Sequence, residues 1–280
     1  MVNRRWAVGG LTAVACLFAV TGVVQATHSW GGYHWARTAN PFTLKVGNNM
    51  NVSWSGYLTQ TSQDWNADGR IIVTAIVPGT SNKQCRAVAG TTQVCNGSYG
   101  RNGWLGLASI NITGGVHITQ GTAKMNDTYF STATYNNPNE KLHVVCQEVA
   151  HTFGLAHQSE DGSAQNSCMD YFSNTGANAG STLSTKPNAH DFEELGIIYA
   201  HLDSTTTLAS GAGTQAPGNP SQADPGGDPN EWGQLVSQTA NGRSSTYERD
   251  HGNGNKTITH VFWTAEAAEN CPSCDHRYDH

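Results

Sequence analysis

The chain has 280 residues, of which 37% are hydrophobic and 13% are charged, and its formal net charge at pH 7 is −6. The apolar content is enough to bury a large core, so an intrinsically disordered chain is excluded. The negative charge argues against a nucleic-acid partner, since such proteins present basic surfaces. A low charged fraction with many Asn, Thr, Ser and Gly residues is typical of exported proteins.

Residues 1–26 have the pattern of a secretory signal peptide. Arg4 and Arg5 precede an apolar run that ends in the small-residue cleavage pattern Val24-Gln25-Ala26. Cleavage after Ala26 would lower the formal net charge from −6 to −8 and yield a secreted, extracellular protein without a stable membrane span. The alternative is an uncleaved membrane anchor, because the apolar run is long enough to cross a bilayer.

The residues from 41 to 126 are predicted to form mainly β-strands, with one early helix. Residues 41–46 alternate in polarity, and residues 70–77 are rich in β-branched side chains and stop at Pro78-Gly79. Two more strands are predicted near residues 104–112 and 117–125, so a twisted sheet should result. The early helix is indicated by the helical spacing of Trp54, Leu58, Thr61 and Trp65.

The clearest helix signal begins at Asn137, which can cap a helix whose first turn contains Pro138. Gly154 offers the left-handed residue that ends a helix. A second helix is predicted over residues 189–202. The apolar stripe of the first helix comprises Leu142, Cys146, Val149 and Phe153.

The composition changes after Asp203. Residues 204–229 are rich in Ser, Thr, Gly and Pro and are predicted to be a linker with few core contacts. Residues 230–280 are predicted to form a small β-hairpin unit, too small for an independent domain, with its turn at residues 252–255. This unit also contains a CxxC motif.

Six cysteines remain after signal cleavage, an even number that favours three disulfides in an exported protein. Fifteen connectivities are possible, and the simplest joins neighbours along the chain. For the last pair, a second metal site or a redox pair is the alternative. The pairs are Cys85 with Cys95, Cys146 with Cys168, and Cys271 with Cys274.

The residues that carry chemistry lie between Gln147 and His157. Gln147 and His151 are one helical turn apart, so their side chains project from one face, with Glu148 beside them. Gly154 lets the chain turn abruptly after the helix. The turn can bring His157 back to the ion bound by Gln147 and His151.

This string resembles the metzincin signature HExxHxxGxxH, with Gln147 in place of the first histidine. Ser167-Cys168-Met169-Asp170-Tyr171 is similar to the Met-turn that follows the signature in that superfamily. The resemblance covers residues 40–203, and it implies an α+β catalytic domain over residues 27–203. The expected parts are a twisted mixed sheet, an active-site helix and a Met-turn.

The resemblance implies a zinc metalloendopeptidase that acts on protein or peptide substrates. Gln147, His151 and His157 would hold Zn²⁺, Met169 would lie beneath it, and Glu148 would be the general base. Tyr171 would bind the metal or stabilise the oxyanion. The substrate is expected to add along an exposed sheet edge at residues 115–126.

Gln147 departs from the metzincin pattern, since an amide oxygen is a weaker zinc ligand than an imidazole nitrogen. Either Gln147 coordinates through its oxygen, as gametolysin-like metzincins suggest, or the site binds metal poorly. In the second case the protein is a catalytically inactive, extracellular binding module. The sequence predicts no oligomeric state.

Overall fold

The computed structural model describes residues 28–80, 85–209 and 229–270. The predicted signal peptide, most of the predicted linker and the Cys271–Cys274 pair lie outside these residues. The strands are β1 (His34–Trp35), β2 (Phe42–Asn49), β3 (Ile72–Pro78), β4 (Thr91–Gly97), β5 (Trp104–Thr113), β6 (His117–Asn126), β7 (Gln234–Gln238), β8 (Ser244–Gly252) and β9 (Asn255–Trp263). The helices are α1 (Ser55–Trp65), α2 (Asp127–Phe130), α3 (Pro138–His151), α4 (Ala189–Ile198) and α5 (Ala265–Asn270).

All the described strands belong to one mixed sheet. Its order is β3-β2-β4-β6-β5-β9-β8-β7, and β1 also pairs with β6. The strands β1, β2, β3, β4 and β6 pair in parallel, whereas β5, β7, β8 and β9 pair antiparallel with their neighbours. A mixed sheet flanked by a few helices agrees with the predicted α+β class.

The C-terminal strands extend this sheet. The predicted hairpin turn is present, with Gly252 opposite Asn255, but β9 also pairs with β5 along its length. The sequence pattern predicted the hairpin but not its pairing with β5, because the partner and the register of a strand are decided by non-local packing. A second apolar cluster fastens the hairpin to the body of the fold. It comprises Trp104, Leu107, Trp232, Tyr247, Val261 and Trp263.

The predicted substrate edge at residues 115–126 is wrong. β6 lies inside the sheet, with β4 on one side and β5 on the other. Its backbone N–H and C=O groups are therefore already used in the sheet. β5 is not free either, since β9 covers its second side.

α3 begins as the sequence predicts. The side chain of Asn137 accepts a hydrogen bond from the backbone N–H of Glu140 at 2.8 Å, and Pro138 stands in the first turn. The helix packs against α1, β5 and β6, and Val144, Val149 and Phe153 enter the main apolar core. This packing holds the last turn of α3 over the sheet.

Two of the three predicted disulfides lie within the described residues, and both are confirmed. Cys85 is bonded to Cys95, and Cys146 of α3 is bonded to Cys168. The second disulfide ties α3 to the segment that contains Met169. Disulfides of this kind are typical of oxidising compartments.

α4 is shorter than predicted and ends at Ile198 instead of residue 202. The buried guanidinium of Arg37 donates to the carbonyl oxygens of Tyr199 and His201, and Asp203 donates its N–H to Arg37 O at 2.9 Å. These hydrogen bonds hold residues 199–203 in a non-helical conformation, so α4 cannot continue to residue 202.

The first residues of the predicted linker continue along the body. Thr207 N donates to Ala36 O at 3.0 Å, and Ala209 N donates to Gly90 O at 3.1 Å. The boundary at residue 203 is therefore not the end of the packed chain. Among the described residues, no helix is both long and apolar enough to cross a bilayer.

Removing the Cys146–Cys168 disulfide with a Cys146→Ala/Cys168→Ala double variant should lower the free energy of unfolding by about 3 kcal/mol. The bond closes a loop with a sequence separation of 22 residues, against 10 for Cys85–Cys95, so the matched Cys85→Ala/Cys95→Ala variant should lose somewhat less. Urea unfolding under oxidising conditions measures both losses. Equal stability of the first variant and the parent chain would contradict the expectation.

Candidate metal centre

The turn at the end of α3 positions two histidines. Gly154 has φ +95°, and a Cβ atom there would collide with the carbonyl oxygen of Tyr33, so both the conformation and the space require glycine. The chain reverses at this point and returns His157 towards His151. Their Nε2 atoms are 3.0 Å apart.

A third histidine, His260, comes from β9. Its ring centroid lies 3.9 Å from that of His151 and 4.6 Å from that of His157. One ligand nitrogen from each of the three rings falls within 4.8 Å of the others. We call His151, His157 and His260 the three-histidine group.

Sequence reasoning missed His260. The available signal was its position in β9. Ile258, His260 and Phe262 are two residues apart, so they face the same side of the strand, and Ile258 and Phe262 are core residues. A fully buried histidine in that phase has to find a polar partner. The sequence did not reveal that β9 pairs with β5 and so brings His260 next to His151 of α3.

Hydrogen bonds orient two of the rings. His151 Nδ1 lies 2.8 Å from Leu155 O, and His157 Nδ1 lies 3.3 Å from Glu160 Oε1. Both partners can only accept, so each Nδ1 carries the proton and each Nε2 presents a lone pair. Burial lowers the pKa of all three histidines, which favours the neutral, ligand form of the ring.

These nitrogens fit a shared cation. Two lone pairs directed at each other across 3.0 Å repel, and a cation between them would remove this repulsion, whereas the Tyr171 hydroxyl has one proton to share between His157 and His260. Nitrogen ligands about 2.1 Å from a tetrahedral zinc ion lie about 3.4 Å apart, close to the observed separation. The donor set of three imidazoles is also one that zinc prefers.

Glu148 lies beside the three-histidine group and is fully buried. Neither carboxylate oxygen has a hydrogen-bond partner, and Oε2 lies 3.5 Å from His260 Nδ1. Burial raises the pKa of Glu148 well above its usual value. A cation at the three-histidine group would favour the ionised carboxylate.

Gln147 is oriented towards the Met169 segment. Its Nε2 donates to Cys168 O and to Asp170 O, each at 2.8 Å. These two bonds leave Oε1 buried and without a partner. The amide therefore fastens this segment to α3, and metal ligation by Oε1 stays a prediction.

The structure brings Tyr171 into the same site. Its hydroxyl lies 2.9 Å from His157 Nε2 and 2.8 Å from His260 Nε2, and burial raises its pKa well above the usual value. Met169 is fully buried in the main core, and its backbone N–H donates to Ser167 Oγ at 2.9 Å. Four predicted site residues therefore meet: Glu148, His151, His157 and Tyr171.

A cavity of about 260 Å³ reaches the three-histidine group. Trp30 and Tyr33 of the N-terminal segment line one part of it, and Thr246 and Ile258 of the C-terminal hairpin line another. The Trp30 ring also packs against His151 at 5.3 Å between centroids. A small molecule or a chain segment that enters the cavity therefore meets the histidines directly.

No protein-family model matches this chain, and no curated protein matches it either. The function of the site must therefore be inferred from its geometry and chemistry.

Gly106→Ala should destabilise the chain by about 1–3 kcal/mol, because the added Cβ would collide with Glu148 Oε1 in a packed interior. Gly196→Ala in α4 is the matched control, since a Cβ there meets nothing within 4 Å. The control should be neutral or more stable by up to about 1 kcal/mol. Urea unfolding compares the two, and a fully stable Gly106→Ala variant would show that Glu148 is free to move.

Proposed function

We propose that this protein is a secreted zinc-dependent endopeptidase of the metzincin type. The observation that carries the proposal is the meeting of His151 and His157 at one point, beside the buried carboxylate of Glu148. Both histidines and Glu148 belong to the motif on which the resemblance rests. The disulfide between α3 and the Met169 segment supports the same arrangement.

The proposed zinc ligands are His151, His157 and His260. A set of three protein ligands leaves the fourth tetrahedral position for water or substrate, as in catalytic zinc sites. His260 supplies the third imidazole, in place of the histidine that the metzincin signature has where this chain has Gln147. Gln147 then has a positioning role, since its amide holds two carbonyl groups of the Met169 segment.

Glu148 is the proposed general base. Bound zinc would supply the charge that acidifies a water molecule and polarises the scissile carbonyl. Glu148 takes a proton from the attacking water and delivers it to the amine nitrogen as the C–N bond breaks. The Tyr171 hydroxyl, already beside His157 and His260, is placed to donate to the developing oxyanion.

The proposed substrate is an extended peptide segment. Both β5 and β6 are paired on both sides, so a substrate strand cannot add to either of them. The cavity between the N-terminal segment and the C-terminal hairpin reaches the three histidines, and its volume of about 260 Å³ suits a short peptide segment. Val236 and Ser237 of the outer strand β7 also line this cavity and would contact the peptide.

The coverage of β5 by β9 also favours a second candidate, an extracellular binding module without turnover. In that case the metal and the cavity would be present, but a peptide would not reach Glu148. Activity separates the two candidates, because metal binding is common to both.

Glu148→Gln should lower peptide hydrolysis by about 10²–10⁴-fold, since the amide cannot accept the proton of the attacking water. Bound zinc, measured by elemental analysis, should be retained. Glu269→Gln, at an exposed position of α5, is the matched control and should keep full activity. Undiminished hydrolysis by Glu148→Gln would refute the mechanism, and no hydrolysis by the parent chain in excess zinc would favour the binding module.

His260→Ala should weaken zinc binding at this site by more than about 100-fold, because a direct ligand contributes more than the outer partners of a metal site. Gln147→Ala should retain zinc binding but lose stability by about 1–3 kcal/mol, since the buried carbonyl of Cys168 loses its donor, whereas Asp170 O keeps His143 Nε2 at 3.0 Å. His251→Ala, in the same hairpin, is the control for general effects of removing a histidine. Zinc titration after chelation measures the affinities. If Gln147→Ala binds zinc more weakly than His260→Ala does, Gln147 and not His260 is the third ligand.

A further inference from the structure

A second group of ligand-type side chains lies away from the three-histidine group. The Nε2 atoms of His34, His117 and His201 lie 3.6, 3.2 and 3.5 Å from a single atom, Asp203 Oδ1. We call these four residues the His34 group. Three imidazole nitrogens around one carboxylate oxygen are unusual, because a neutral histidine pair alone would satisfy that oxygen.

Three separate parts of the chain build the His34 group. His34 of β1 stands opposite His117 of β6 in the parallel register, so the two side chains share one face of the sheet. His201 and Asp203 arrive from the segment after α4. The arrangement is therefore a property of the fold and not of a local motif.

Arg37 fixes the carboxylate of Asp203. Its backbone N–H and its Nη1 donate to Asp203 Oδ2 at 3.1 and 3.0 Å. This leaves Oδ1 to face the histidines. Burial alone would raise the pKa of Asp203, but the Arg37 N–H and the neighbouring histidines lower it overall, so the carboxylate is ionised near neutral pH.

His34 gives the strongest indication of a ligand. Its side chain is only 3% exposed, and its Nδ1 lies 2.9 Å from the carbonyl oxygen of Gly32. That carbonyl can only accept, so Nδ1 carries the proton and the buried Nε2, which has no hydrogen-bond partner, presents a lone pair.

A lone pair on His34 Nε2 that faces the carboxylate oxygen at 3.6 Å is unfavourable unless a cation lies between them. The backbone carbonyl on the other ring nitrogen and Arg37 on the other carboxylate oxygen are the outer contacts usual around metal ligands. His201, with a side chain 58% exposed, leaves the group accessible from solvent.

We propose that His34, His117 and Asp203 form a second metal site, for a divalent transition metal of the zinc class, with His201 on its solvent-exposed side. Two imidazole nitrogens and one carboxylate oxygen are a donor set that zinc accepts, whereas calcium and magnesium prefer oxygen ligands alone. Three tetrahedral positions come from these side chains, and the exposed His201, whose Nε2 lies 3.5 Å from Asp203 Oδ1, can complete the set by a small movement of its side chain.

The proposed role of this second metal is to fasten the N-terminal segment. Among these ligands, only His34 lies on that segment, which also carries Trp30 and Tyr33 in the wall of the cavity at the three-histidine group. Binding at the His34 group would join this segment to β6 and to the segment after α4. Metal binding should therefore raise the melting temperature of the whole chain.

Metal stoichiometry tests the proposal on the full chain. After chelation and dialysis, the protein is titrated with Zn²⁺, and with Co²⁺, whose visible absorption reports tetrahedral coordination. We expect two equivalents for the parent chain, one for His157→Ala and one for His117→Ala/His201→Ala. The triple variant should bind none, and His251→Ala should bind two as the control.

The His157→Ala background separates this site from the proposed catalytic one. In that background, Zn²⁺ should raise the melting temperature, and adding His117→Ala/His201→Ala should abolish the rise and weaken binding by more than about 100-fold. Both added positions are partly exposed, so the variant should fold. Two outcomes would overturn the proposal. One is that His157→Ala binds no metal, and the other is that His157→Ala still binds one equivalent of metal after His117→Ala/His201→Ala is added.

Discussion

The pairing of β9 with β5 is the interaction on which the site depends. It places His260 beside Ala108 and Phe262 beside Gly106. The small residues of β5 at these two positions leave room for the larger side chains of β9. A shift of the register by one residue would turn His260 to the other face of the sheet. The buried tryptophans of the second apolar cluster oppose such a shift, because they would have to leave their packed positions.

Local patterns were enough to predict much of the chain. The cap at Asn137, the turn at Gly154 and the meeting of His151 with His157 all follow from residues that are close in sequence. The disulfide from Cys146 to Cys168 was also predicted, since neighbouring cysteines are the simplest pairs. In each case the residues that carry the signal lie within 22 positions of one another along the chain.

What the sequence did not reveal depends on contacts between distant segments. His260, the end of α4 and the true edges of the sheet are each decided by a partner far along the chain, such as β5 for β9 and Arg37 for residues 199–203. The His34 group is of the same kind, since its members are brought together by a strand pair and by the segment after α4. These four residues are spread over positions 34–203, so no short motif with fixed spacing marks them in the sequence.

Buried polar atoms without partners connect these findings. Oε1 and Oε2 of Glu148 and Nε2 of His34 are all buried and lack hydrogen bonds, which costs stability unless a cation is close. Two such places in one fold, one beside three histidines and the other beside two histidines and an aspartate, are hard to explain by packing alone. Their different surroundings indicate different roles, because a cavity reaches the first, whereas the second lies between β1, β6 and the segment after α4.

The N-terminal segment is the physical connection between the two places. The backbone N–H of Trp30 donates to Gly154 O at 2.7 Å, Ser29 bridges to Leu155, and His34 belongs to the second group four residues later. This short stretch therefore holds the turn that positions His157 and also forms part of the cavity wall. Whatever restrains His34 restrains Trp30 and Gly154 as well, so the order of the first site depends on how firmly the second holds the segment.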